Sequence, residues 1–134
     1  MSIRIARAAM MTIRGDCAAR APQEACGLLL GTRERIDRAL PAANIAADPA
    51  RRFEIDPAVL FAAHRAARTG APAIVGCYHS HPRCNADPSA TDAAQAFDDD
   101  WIWLIVGADA EKAYRVVRAS PTMARFETLP WIED

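Results

Sequence analysis

Three apolar runs, each too short for a buried helix, constrain this chain most: "CGLLLG" at 26–31, "AIVGCY" at 73–78 and "WIWLIVG" at 101–107. Short runs of this kind, rich in branched and aromatic residues, read as strands. Helical stretches lie between them. After a short apolar start at Ile3 and Ile5, an Ala-rich segment to about Arg20 suits a helix ended by Pro22. Asp56-Pro57 starts a second, running to about Thr69 with Val59, Leu60, Ala63 and Ala67 on one face and Gly70 at its end. Ser89 opens a third, to about Phe97. "RERIDRALPA" (33–42) alternates weakly and reads as a strand, residues 44–57 as a loop with a short extended piece. Residues 113–119 and 124–129 read as closing strands, with turns at 108–112 and 120–123. The fold class is α/β, a mixed sheet flanked by helices.

Size and charge narrow the function. A chain of 134 residues, 51% apolar, can bury one core, so residues 1–134 are expected to form a single domain. Sixteen basic and 17 acidic residues leave a net charge of -1, which draws the chain to neither nucleic acid nor an anionic membrane. The N-terminal arginines precede no apolar run of signal-peptide length, and no stretch approaches the roughly 20 apolar residues of a membrane span. A cytoplasmic location is expected. The cysteines, at 17, 26, 77 and 84, form no CxxC pair and fit reduced thiols.

Chemistry concentrates in "HSHPRCNADPSATD", residues 79–92. Residues two apart on a strand face the same way, so His79 and His81 present both imidazoles together while Ser80 points away. Pro82 ends the strand, and the chain can return with a third ligand. Asp92, in the first turn of the helix begun by Ser89, is the candidate. Two imidazoles and a carboxylate suit zinc, and three protein ligands leave a fourth position for water, as in catalytic sites. Ser89-x-x-Asp92 also has the form of a capping box. Cys77 alternates onto the histidine face but reads as a small buried hydrophobe. Cys84 is placed to approach the metal or to act as a redox-sensitive thiol. His64 stands alone in a helix and reads as surface or filler.

The string resembles the JAMM motif of the MPN-type metalloproteases: H-x-H-P, six residues, then S-x-x-D, every spacing matched. Prokaryotic members carry an upstream glutamate in a segment similar to "PQEACGLLLG", which points to Glu24. The resemblance implies a cytidine-deaminase-like architecture and one zinc per chain on His79, His81 and Asp92. Glu24 lies across the cleft as base and then acid, and Ser89 steadies the water or the oxyanion. It places "RRFEI" (51–55) near the cleft rim, where a substrate tail could add to the sheet.

Rival families fit less well. Zinc deaminases need H-x-E with P-C-x-x-C, which are absent. RadC-type proteins linked to DNA repair share H-x-H-P and S-x-x-D but typically begin H-N-H-P-S-G. Non-catalytic MPN scaffolds have lost ligands that are all present here. Short prokaryotic members resemble enzymes that trim ubiquitin-like sulfur-carrier proteins after a terminal Gly-Gly, so such a carrier is the expected partner. The oligomeric state stays open, a homodimer included.

Overall fold

A computed structural model of the chain describes residues 2–118 and 124–134. In chain order its elements are β1 (Ile3–Ile5), α1 (Arg7–Arg20), β2 (Cys26–Gly31), β3 (Arg35–Ala42), α2 (Pro57–Ala67), β4 (Ala73–His81), α3 (Ala90–Gln95), β5 (Ile102–Gly107), β6 (Glu111–Val117), β7 (Arg125–Leu129) and β8 (Trp131–Glu133). The strands form one eight-stranded sheet in the order β7-β6-β5-β4-β2-β3-β1-β8. The three apolar runs supply its centre, β4 pairing antiparallel with β2 and parallel with β5. The α/β class is as the sequence implies.

Strand alternation divides the core between the two faces of the sheet. Leu29, Tyr78, Ile102 and Leu104 face α1, whose Ala9, Met10 and Ile13 are buried against them. Cys26, Cys77, Trp103 and Ile105 face the other way with Phe53, and Leu28 and Leu30 meet Ala63 of α2 there. Fully burying a side chain such as Leu28 contributes about 1.5–3 kcal/mol. The buried Tyr78 hydroxyl donates to Asp16 of α1 at 2.7 Å, satisfying the polar end of an otherwise apolar side chain.

Several boundaries differ from the sequence reading for local reasons. Helix α2 begins as expected, Asp56 accepting from Ala58 N–H at 3.0 Å with Pro57 in the first turn, but stops at Ala67. Helix α3 stops at Gln95 because Ala96 leaves the helical region, with φ -83° and ψ 86°, and is itself buried. Strand β3 starts two residues later than read, after a turn in which the Thr32 hydroxyl accepts from Arg35 N–H at 3.1 Å. Strand β6 starts two residues early, since Glu111 and Lys112 pair with Val106 and Ile105 of β5. The expected turn at 120–123 and the last residue of the strand read at 113–119 lie outside the described residues. Strand β8 was not expected; its three residues pair in parallel with β1 and are too few to show alternation.

Candidate metal centre

Register brings the distant residues together. Cys26 of β2 pairs with His79 of β4, and the antiparallel ladder continues one step further, with Ser80 N–H donating to Ala25 O at 3.1 Å. The next residue back, Glu24, therefore falls beside His81 despite the long separation in sequence. Ser80, facing away from the site, closes this step a second time: its hydroxyl accepts from Ala25 N–H at 2.8 Å. Glu24 stands in the connection from α1 to β2.

The side chains converge closely. His79 Nε2 and His81 Nε2 lie 3.1 Å apart. The Asp92 carboxylate is 3.2 Å from the first and 3.3 Å from the second. In a tetrahedron with bonds of about 2.0–2.1 Å the ligand atoms stand about 3.3–3.4 Å apart, so these three donors already have the spacing of three corners. A carboxylate oxygen of Glu24 and a ring nitrogen of each histidine all lie within 4.8 Å of one another. Glu24, His79, His81 and Asp92 are all buried, at 6%, 0%, 8% and 3% exposure.

The protons also suit a cation. Asn85 O, 2.9 Å from His81 Nδ1, can only accept, so Nδ1 carries the hydrogen and Nε2 turns a lone pair to the centre. Burial lowers the His79 pKa and so favours its neutral form. For Asp92, burial works against ionisation, but its close contacts with the two imidazoles and the hydrogen bond from Ser89 N–H outweigh it and hold the carboxyl well below the usual range; the same carboxylate, against the effect of burial, raises the His81 pKa, so positive charge is favoured at this point. Burial pushes the Glu24 carboxyl up to about 7. Lone pairs and a carboxylate aimed at one point repel one another unless a positive charge sits between them. The donor set fits a metal ion.

Ser89 serves α3 and faces the site. The capping box is complete: Ser89 Oγ accepts from Asp92 N–H at 3.0 Å, and Asp92 Oδ2 accepts from Ser89 N–H at 2.9 Å. The box fixes the Asp92 side chain in its direction toward the histidines. Ser89 also lines a cavity of about 290 Å³ with Glu24 and His81, where its own O–H is left to donate.

Four supporting residues escaped the sequence reading. Phe53 stacks on His79 with ring centroids 4.2 Å apart, and Trp103 meets the same imidazole edge-on at 5.4 Å. Asn44 organises the loop that carries Phe53: its Nδ2 donates to Glu24 O (3.0 Å), Pro49 O (3.3 Å) and Arg52 O (3.0 Å). Its Oδ1 accepts from Ala46 N–H and Glu54 N–H at 3.0 and 3.1 Å. Gly107 lets the ligand loop close, since a Cβ there would stand 2.4 Å from Ala86 N. The signals available were an Asn at the start of a loop and an apolar residue between charges, neither of which is specific.

The remaining candidates separate clearly. Cys77 is buried among apolar neighbours, and burial raises its thiol pKa well above the ordinary value. Cys84 is exposed at the cavity mouth, and His64 is exposed on α2. Arg51 lines the same cavities as Glu24 and His81, as expected for the rim. Strand β4, however, is interior, and the sheet's open edges are β7 and β8. Both ladders of β4 are thus already taken, so a tail could not pair with β4 itself.

Fold and cluster together define an α/β domain with a metal-binding pocket at the end of a central strand. The chain belongs to the family of prokaryotic homologs of the JAB domain, whose sequence pattern matches residues 6–120. It is 36% identical over 90 residues to a desampylase from Haloferax volcanii, covering 66% of this chain and 65% of that one. It is 33% identical over 96 residues to a probable TtuB-protein conjugate cleaving protease from Thermus thermophilus, covering 70% and 62%. The chain thus spans just under two thirds of the length of these curated relatives. A protein from Desulfitobacterium hafniense, solved in solution, superposes with a TM-score of 0.80 at 27% identity, covering 98% of this chain and 94% of that one. Among the described residues no helix is long and apolar enough to cross a membrane.

Proposed function

We propose that this chain is a zinc-dependent peptidase or isopeptidase that hydrolyses the amide bond after the C-terminal Gly-Gly of a ubiquitin-like sulfur-carrier protein. It works in the cytoplasm with one zinc per chain, and residues 1–134 act as a single unit. The observation that carries this reading is the meeting of His79, His81 and Asp92 at 3.1–3.3 Å with the buried Glu24 carboxylate beside them. The family and the two relatives, one named for cleaving protein conjugates, point the same way.

Zinc held there supplies a Lewis acid that polarises the scissile carbonyl and lowers the pKa of water from 15.7 towards about 7. The protein's own groups do the rest. Glu24 takes the proton of the attacking water and delivers it to the departing amine. Ser89 donates its hydroxyl to the oxyanion, its lone pair already engaged by the Asp92 amide. His81 is held in one tautomer by Asn85 O, and His79 is held in place by the Phe53 ring. Two glycines before the scissile bond let the backbone enter a cleft where a side chain would collide.

Metal analysis and a cleavage assay test the reading together. Wild type is expected to retain about one zinc per chain after dialysis, and the His79→Ala, His81→Ala double variant none. Glu24→Gln keeps the zinc and loses roughly 10²–10⁴ in turnover on a Gly-Gly-extended carrier. Full zinc in the double variant, or an unchanged rate in Glu24→Gln at saturating substrate, would refute these roles.

A further inference from the structure

The loop that follows β4 carries the carbonyl that orients His81, and its sequence gives it little to hold itself with. Residues 82–89, "PRCNADPS", include Pro82 and Pro88 and lie outside helix and strand. Ala86 is the one buried residue among them. A loop of this kind needs support from outside if Asn85 O is to stay 2.9 Å from His81 Nδ1.

The hairpin of β5 and β6 supplies that support. Strands β4 and β5 run parallel with His81 paired to Gly107, so both chains leave the sheet at the same level and the loop after β4 lies beside the hairpin turn. Ala108 N–H donates to Cys84 O at 2.8 Å. Gly107 backs the Asn85–Ala86 peptide, since a Cβ there would stand 2.6 Å from Asn85 C and 2.4 Å from Ala86 N. From β6 the buried Tyr114 donates its hydroxyl to Ala86 O at 2.8 Å. In the turn itself, Asp109 Oδ1 accepts from Ala86 N–H at 3.1 Å. Both backbone groups of the loop's buried residue are therefore held by the hairpin.

The Asp109 contact bears on the histidine most directly. Asn85 C=O and Ala86 N–H belong to one planar trans peptide unit and point in opposite directions. That unit accepts from His81 Nδ1 at one end and donates to the Asp109 carboxylate at the other, so turning the carbonyl away from the imidazole breaks both bonds. Metal-bound imidazoles commonly give their outer N–H to a carboxylate or a carbonyl, and losing that partner costs about 10–100-fold in metal affinity. Here the carboxylate stands one peptide further out, and hydrogen bonds in a chain polarise one another, so its charge makes Asn85 O a better acceptor. We infer, resting on the metal centre described above, that Asp109 is a positioning residue which acts on His81 through the Asn85–Ala86 peptide, with Tyr114 fixing the other side of Ala86. His79 is held by other means: its Nδ1 has no partner, and its ring packs between Phe53 and Trp103.

Zinc affinity of the full chain, measured by competition with a chelator, tests this without reference to any substrate. Asp109→Ala is expected to bind zinc about 10–100-fold more weakly than wild type. Asp109→Asn keeps an acceptor oxygen in the same place and should recover part of that loss. Tyr114→Phe keeps the ring, removes only the hydroxyl and should also weaken binding. Glu111→Gln removes a carboxylate from the same hairpin, one that faces Arg14 instead, and should bind zinc as wild type does. Melting temperatures separate positioning from mere structure: a structural loss lowers the metal-free and zinc-loaded proteins alike, whereas loss of positioning narrows the gap between them, because that gap follows the affinity. Wild-type affinity in Asp109→Ala, an equal loss in Glu111→Gln, or an Asp109→Asn variant no better than Asp109→Ala overturns the inference and leaves the hydrolase reading standing. The expected losses in a zinc-loaded protein that cleaves no Gly-Gly-extended carrier support the role of Asp109 and overturn the hydrolase reading. A wild type that holds no zinc overturns both.

Discussion

Asn44 is the residue whose replacement most directly tests how the fold holds Glu24. One half-buried side chain makes five contacts, donating to the Glu24, Pro49 and Arg52 carbonyls and accepting from the Ala46 and Glu54 amides. Glu24 is tied to the same loop by its own N–H, which donates to Pro49 O at 2.8 Å. A hydrogen bond contributes about 0.5–1.5 kcal/mol net, and water replaces part of each at a half-buried position, so Asn44→Ala should cost roughly 3 kcal/mol. For a chain of this size that lowers Tm by about 10 °C. Asn44→Asp is the sharper variant. It has the same shape and keeps both acceptor contacts, but at neutral pH it turns a carboxylate oxygen toward three carbonyl oxygens, so it should be at least as unstable as Ala. Urea unfolding by circular dichroism gives the stability, and turnover at full zinc content shows whether Glu24 has shifted. If both variants lie within about 0.5 kcal/mol of wild type, or Asn44→Asp is as stable as the parent, then Asn44 does not hold the loop.

Other substitutions probe the same construction. Gly107→Ala places a Cβ against Ala86 N, displaces the Asn85 carbonyl that orients His81, and should weaken zinc affinity about 10–100-fold in a competitive chelator titration; unchanged affinity would show that the loop yields freely. Glu24→Leu should stabilise the metal-free protein by about 1–2 kcal/mol in urea unfolding, because it removes a buried oxygen without a partner, while abolishing turnover; a loss of stability would contradict this. For the thiols, burial pushes Cys17 up to about 11 and Cys26 to about 12. Since the thiolate is the reactive form, raising these values slows reaction at pH 8. One equivalent of a thiol reagent should therefore react fast, at the exposed Cys84, with the rest appearing on unfolding; mass mapping of the first adduct to Cys26 or Cys77 would contradict it.

How much of this was legible in the sequence depends on how local each feature is. The facing imidazoles follow from the two-residue period of a strand, and the Ser89–Asp92 geometry from a capping box closed within four residues, so both could be read directly. Pairing between strands is not local. That Glu24 sits beside His81 depends on the β2–β4 register, and the residues alone gave it little weight; the resemblance supplied it. Asn44, Phe53 and Gly107 act through contacts with residues brought near by folding, and each residue type is common in a loop or at a strand end. Strand β8 is too short for alternation to show and is recruited by the free edge of β1.

The location of the unmet polar groups links the fold to the chemistry. Among the described residues, two buried side-chain atoms have no hydrogen-bond partner, Glu24 Oε1 and His79 Nδ1. Both belong to the cluster in which the carboxylate and the two imidazoles lie within 4.8 Å of one another. Each such atom costs about 1–3 kcal/mol. Elsewhere among the described residues the buried polar side chains find partners: the Tyr78 hydroxyl reaches Asp16, Tyr114 donates to Ala86 O at 2.8 Å, and Ser80 accepts from Ala25. Among the described residues, then, both unmet atoms belong to side chains of the one cluster whose donors are spaced for a metal ion, where the proposed mechanism gives Glu24 a proton to carry. That cluster is supported by strand β4, which lies between two full ladders and bears both histidines on a backbone that has little freedom to relax.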